Sequence, residues 1–430
     1  MSSPSKELLF NKRYYVLATV LALCVLTETL CLTYIQQSGD VFYFSSSILY
    51  FISGLGICLL PLIPIPANDK TIKGIASLSK YMPIIWGLFF LFLLGYHIGK
   101  LIPEYSKFAI DKRWADMFPT IQVGCQRFLT GRVVYAPTPE IWVGSIFPYF
   151  PMMWIPFLPA EIFSFDYRWV TVILEFIGIA VAFSPVIQLK NKAIPIVPSL
   201  IVGTALFLLI NFFLMQNITY WVMTEEGVVA CFYILFSWAL LRKNYVLIGL
   251  AMTACTLSRY GLLFWIPVYF GYILLTQDRS SFWKLFWSYG ISMTVLFILP
   301  FFIWNPAYFL NIPTTYTNNI DRFWMGNDID SHKYYNVGFF KFFTHSLAHT
   351  MSTWAIISSF LTPVILLFVA EKLKLKSKYI AYSSLKLCLI FFYGFISIPY
   401  QYIFVPVTLI SYVVLFDYLA ASIVYQETAN

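Results

Sequence analysis

The chain has 430 residues, of which 60% are hydrophobic, 20% aromatic and only 11% charged, with a mean hydropathy of +0.75. That balance excludes an ordinary soluble globular protein and implies an all-α, polytopic membrane protein. Lys and Arg number 28 against 20 Asp and Glu, a net charge of +8, but the cations fall mainly in short segments between apolar runs, where they orient the chain rather than bind nucleic acid.

The first apolar run, "YYVLATVLALCVLTETLCLTYI", lacks a small-residue cleavage pattern and is expected as a retained span. Further runs follow at 42–64, 82–102, 144–163, 169–187, 193–215, 227–241, 245–276 (broken at Ser258 and Arg259), 284–304, 351–370, 380–398 and 401–421. Together they predict about eleven to thirteen membrane helices in a single membrane domain over 1–430. The segment 144–163, "GSIFPYFPMMWIPFLPAEIF", carries four prolines and is expected to be short, broken or re-entrant. The basic clusters "KELLFNKR", "NDKTIKGIASLSK", "LKNK", "LRKN", "DRSSFWK" and "EKLKLKSK" mark the cytoplasmic side. Two large loops, 103–143 and 305–350, then lie outside. Six of the seven cysteines sit in apolar segments, Cys125 stands alone in a loop, and no CxxC occurs, so neither a disulfide framework nor a zinc site is indicated.

In the first loop, Asp116 precedes "MFPTIQVGCQRFLTG", where Ile121, Cys125, Phe128 and Leu129 share a helical face and Gly131 is placed to end the helix. A short amphipathic helix on the membrane surface is expected, with Pro119 in its first turn. Asp116 has two readings, an N-cap or a general base at the mouth of a membrane cavity. Asp111, beside Lys112 and Arg113, reads as a surface ion-pair partner.

An acidic residue after an early span, a surface helix ending "GRVVY" and the stretch "FPYFPMMWIPFLP" resemble the first external loop of the GT-C superfamily of membrane glycosyltransferases. The resemblance is nearest to the family-87, mannosyltransferase-like members. "RKNYVLIGLAMTACTLSRYGLLFW" and "YGFISIPYQYIFVPVTLISYVV" are similar to that family's middle and late blocks. Departures are an extra early span, Phe150 in place of the first proline of Tyr-Pro-Pro, and Glu225 and Glu226 where the family often has Gly-Gln.

The resemblance implies a GT-C-like fold and transfer of a hexose, plausibly mannose, from a polyprenyl-phosphate donor to a lipid-linked or cell-envelope glycan acceptor at the non-cytoplasmic face. It implies Asp116 as the base, and Arg259, with Arg127 and Arg132, as binders of the donor phosphate. Substrate contacts are expected from Tyr135, Tyr149, Glu225, Glu226, Tyr260, His332, Gln401 and Tyr402. No metal or cofactor is expected: Asp328 and Asp330 lack a Rossmann setting, and His345 and His349 lack the Glu of a zinc-protease motif. Two other classes remain open, an O-antigen-type polymerase or ligase and a lipid or sugar transporter. Glu28 and Glu175, each inside a span, carry either a structural partner or a function.

Overall fold

The structure is a computed structural model that describes residues 8–34, 40–64, 71–74, 81–139, 141, 147–187, 196–209, 222–311, 337–397 and 400–421. Apart from one antiparallel pair of four-residue strands, β1 (Leu8–Asn11) and β2 (Thr71–Gly74), the described elements are helical. In chain order they are α1 (Lys12–Tyr34), α2 (Asp40–Leu59), α3 (Met82–Lys107), α4 (Met117–Leu129), α5 (Pro151–Trp154), α6 (Leu158–Ile162), α7 (Arg168–Ile187) and α8 (Ile196–Leu208). There follow α9 (Glu226–Arg242), α10 (Tyr245–Thr256), α11 (Ile266–Thr276), α12 (Arg279–Met293), α13 (Pro306–Leu310), α14 (His345–Lys372), α15 (Ile380–Phe395) and α16 (Val405–Ala421).

Seven of the described helical stretches are long and apolar enough to cross a bilayer, and three shorter apolar helices accompany them. The protein is therefore a multi-pass membrane protein. The proline-rich stretch is broken as expected: α5 and α6 flank a 3-10 turn at Ile155–Phe157, and each piece has a proline at its first or second position. The run 245–276 is likewise split, with Leu257, Ser258 and Arg259 between α10 and a 3-10 turn at Tyr260–Leu262.

The centre of the bundle is built by the two helices whose sequences are apolar all round. α16 is buried from Val405 to Leu419, and α9 from Glu226 almost to its end. Around them, α7 and α16 pack on α9, α1 packs on α2 and α16, and the hairpins α9–α10 and α14–α15 close the sides. At the start of α9, Gly227 is needed for the approach to α7: a Cβ there would lie 2.8 Å from the Thr171 carbonyl oxygen.

The intramembrane charges separate into two kinds. Glu28 of α1 is paired with Lys386 of α15, which the sequence reading had passed over; Lys386 Nζ lies 2.9 Å from Oε1 and 3.0 Å from Oε2. Lys386 also donates to the Val407 carbonyl at 2.6 Å and to Ser411 Oγ at 2.8 Å, so the structural reading of Glu28 is the one the geometry supports. Among the described residues, Glu175 of α7 is buried with neither carboxylate oxygen hydrogen-bonded, and His97 of α3, whose ring meets Phe176 at 5.5 Å, has both ring nitrogens in the same state.

Candidate functional site

α4 begins one residue after Asp116, whose carbonyl accepts the Thr120 N–H at 3.0 Å and the Thr120 hydroxyl at 2.6 Å. Asp116 thus occupies the N-cap position, but its carboxylate makes no capping hydrogen bond. The helix ends as its sequence requires, on Gly131 at φ +67°. Its buried face, with Phe118, Ile121, Gly124 and Cys125, turns onto protein rather than lipid: the Cys125 thiol meets the Trp154 carbonyl at 3.4 Å, and Phe147 fills the space above Gly124. Phe128 and Leu129, expected on that same face, are exposed over two fifths of their surface, so the apolar stripe is narrower than the sequence implied.

The chain then returns through the broken stretch, whose Met152 N–H donates to the Leu257 carbonyl at 3.0 Å and so fixes it beside the end of α10. α9 starts at Glu226 and runs to the turn at Arg242, Lys243 and Asn244. Lys243 there adopts a left-handed conformation, and the Asn244 side chain caps α10 by accepting from Leu247 N at 3.2 Å. Because α10 runs back alongside α9, Arg259 arrives at the end of the bundle where α9 began. Arg259 is extended (φ −143°, ψ 138°), with its N–H bonded to the Cys255 carbonyl at 2.9 Å.

There its guanidinium meets both glutamates. Nη2 lies 3.4 Å from Glu225 Oε1 and bonds closely to Glu226 Oε1, and both carboxylates are fully buried. Nη1 lies 3.9 Å from the Met153 sulfur, and the guanidinium sits 5.8 Å from the centre of the Tyr402 ring. Tyr402 stacks on Tyr400 at 5.2 Å. Asp116 lies within electrostatic reach of Tyr149, Glu225, Tyr400 and Tyr402. Five expected residues far apart in sequence (Asp116, Tyr149, Glu225, Arg259 and Tyr402), with Glu226 beside them, are thereby gathered at one end of the bundle.

Electrostatics here are tense. Two buried carboxylates, Glu225 and Glu226, face one guanidinium. Burial raises the Glu225 carboxyl, and the adjacent Arg259 pulls it back only in part. Burial, together with the Glu225 and Asp116 charges, raises the Tyr149 phenol well above its ordinary value, so it remains a hydrogen-bond donor at any physiological pH. Three buried atoms of the group have no hydrogen-bond partner among the described residues: Glu225 Oε2, Glu226 Oε2 and Arg259 Nε.

Other expected residues lie elsewhere or do other work. Arg127 is folded back on its own loop, donating to the carbonyls of Val134 (3.1 Å), Ala136 (3.0 Å) and Pro137 (2.8 Å). Arg132 is exposed beyond the far end of α4, which puts both arginines roughly 15 to 20 Å along the helix axis from Asp116, at 1.5 Å per residue. Tyr135 is buried among the rings of Phe147, Phe301, Tyr308 and Phe309, and Tyr260 turns to Phe150 at 5.0 Å. Gln401 is buried and donates to the Leu32 carbonyl, tying α16 to α1.

His332, Asp328 and Asp330 fall outside the described residues. Asp111 is held by Arg113, whose backbone N–H and guanidinium donate to it at 2.9 and 2.8 Å, and these bonds keep its carboxyl below the usual range. No group of His, Cys, Asp or Glu suited to a metal ion occurs among the described residues. Sequence reasoning missed Met153, and also Tyr393, which shares the field of Arg259. Both lie inside apolar runs and carry no signal of their own.

No protein-family profile matches the chain, no curated protein matches it, and no solved structure matches it.

Proposed function

We propose that the protein is a membrane glycosyltransferase of GT-C type, moving a hexose from a polyprenyl-phosphate donor to a lipid-linked or cell-envelope glycan acceptor on the non-cytoplasmic side. The observation that carries this reading is Asp116. It stands where a helix cap would stand, does not cap, and lies within electrostatic reach of Tyr149 and of Tyr402, whose ring faces the Arg259 guanidinium. A carboxylate that does not cap its own helix and stands within the field of Tyr149 and Glu225 is suited to deprotonate a hydroxyl.

In this mechanism the acceptor oxygen attacks the anomeric carbon from the face opposite the phosphate. Its proton passes to the Asp116 carboxylate as the new C–O bond forms. The anomeric carbon–phosphate oxygen bond breaks and its electron pair leaves on the phosphate, so the anomeric centre inverts. Arg259, fixed through Nη2 by the two glutamates, supplies positive charge towards the leaving phosphate. The far-lying Arg127 and Arg132 take no part.

The test is transfer from radiolabelled polyprenyl-phosphate hexose to lipid acceptors by the purified protein. Asp116→Asn is expected to lower turnover by about 10²- to 10⁴-fold, the usual worth of a positioned base. Equal turnover by both proteins would refute the assignment. One observation favours a second reading, a transporter: Glu175 and His97 are ionisable groups buried inside spans with no hydrogen-bond partner among the described residues, and intramembrane Glu and His residues serve proton relays. Proton-coupled sugar uptake by proteoliposomes, abolished by Glu175→Gln, would support that reading instead.

A further inference from the structure

The three unbonded atoms of the Glu225, Glu226 and Arg259 group define a ligand chemistry. Among the described residues, each glutamate spends one oxygen on Arg259 and leaves the other, Oε2, buried with no donor, and Arg259 leaves Nε–H buried with no acceptor. Buried polar groups in folded proteins are almost always satisfied, so the set calls for a partner that supplies two hydrogens and one lone pair close together. A phosphodiester only accepts: it satisfies Arg259 Nε but sets its charge against both carboxylate oxygens. A hydroxyl both donates and accepts. Adjacent hydroxyls of a hexose match the set, and the stacked Tyr400 and Tyr402 rings offer the apolar face that a sugar's C–H groups require.

We infer that Glu225 and Glu226 form the sugar subsite, their Oε2 atoms accepting from two hydroxyls of a neutral hexose. This assignment rests on the transferase reading. Carboxylates that accept from hydroxyls repel a sugar carboxylate, so uronic acids are excluded. A hexose lacking either hydroxyl leaves a buried oxygen unpaired and is rejected as well. The phosphate lies on the Arg259 side, away from the glutamate oxygens.

The experiment uses the full chain in detergent and soluble probes, with binding read by saturation-transfer NMR. The probes are methyl α-mannoside, methyl α-glucoside, methyl glucuronide and inorganic phosphate. At least one methyl hexoside is expected to bind at least tenfold more tightly than methyl glucuronide, and millimolar phosphate is expected not to displace it. Glu225→Gln, whose partner Arg259 keeps its closer bond to Glu226, is expected to bring the hexoside-to-glucuronide ratio towards one without lowering the thermal midpoint. Glu226→Gln should act in the same direction.

Equal binding of glucuronide and hexosides by the wild type would overturn the subsite, and so would phosphate bound where hexosides are not. An unchanged ratio in a folded Glu225→Gln protein would overturn it too. The two readings fail differently. Selective hexoside binding without transfer from polyprenyl-phosphate hexose leaves the subsite standing and removes the transferase. Transfer whose hexose-over-uronate preference survives both substitutions removes the subsite alone.

Discussion

Lys386→Met gives the sharpest test of how the bundle is held. Lys386 is fully buried and donates to Glu28, to the Val407 carbonyl and to Ser411 Oγ, so one residue of α15 binds α1 and α16 together. Once the amine is gone, Glu28 keeps, among the described residues, a hydrogen bond from Ser411 at 2.7 Å in a fully buried setting. Removing one partner of such a pair costs about 3–5 kcal/mol, whereas replacing both with apolar side chains is often close to neutral. At roughly 2 °C per kcal/mol for a chain of this size, the single variant should lose about 6–10 °C in apparent melting midpoint. The assay is thermal unfolding of the detergent-solubilised protein at one fixed scan rate, for wild type, Lys386→Met, Glu28→Leu and the double variant. The double variant should recover to within about 3 °C of wild type, because the stranded charge is gone. Single variants that melt with wild type, or a double variant whose loss is the sum of the singles, would refute the reasoning.

Lys341, buried beside Ser46 at the described end of the second large loop, has its amine pushed down by burial from the ordinary 10.5 to about 7. Between those values the unfolded chain holds a proton that the folded chain does not, so this group makes stability rise with pH from about 7 to 10.5. Lys341→Met should flatten that rise in melting midpoint, and an unchanged pH slope would count against it. Arg168 is half of a bidentate pair with Asp166 and donates to the Phe108 carbonyl at 2.6 Å and the Tyr105 carbonyl at 3.2 Å, clamping the end of α3 to the start of α7. Arg168→Ala should cost about 1.5–3 kcal/mol and expose 103–116 to limited proteolysis; an unchanged digestion pattern would show the clamp to be idle. Asp111→Asn, at the surface pair with Arg113, should leave transfer unchanged where Asp116→Asn lowers it.

What was legible in the sequence was what hydrophobic period and proline placement dictate locally. The apolar runs became helices wherever they are described, the Pro-rich stretch after 147 is broken, and the run from 245 splits at Ser258 and Arg259. Gly131 ends α4 because only a residue tolerant of positive φ does so without strain. Composition alone separated Asp111 from Asp116: cations beside an exposed carboxylate pair with it, and they do.

What tertiary structure decided was which polar groups meet, since the sequence spacing of residues on different helices says nothing about the distance between them. Arg259 and Glu226 are brought into contact because α9 and α10 form a hairpin, and Glu28 finds Lys386 because α1 and α15 both flank α16. The same packing turned Arg127 onto its own loop and Gln401 onto Leu32. It also kept the Asp116 carboxylate out of the helix cap that its position in the sequence offered, leaving it beside Tyr149 and Glu225.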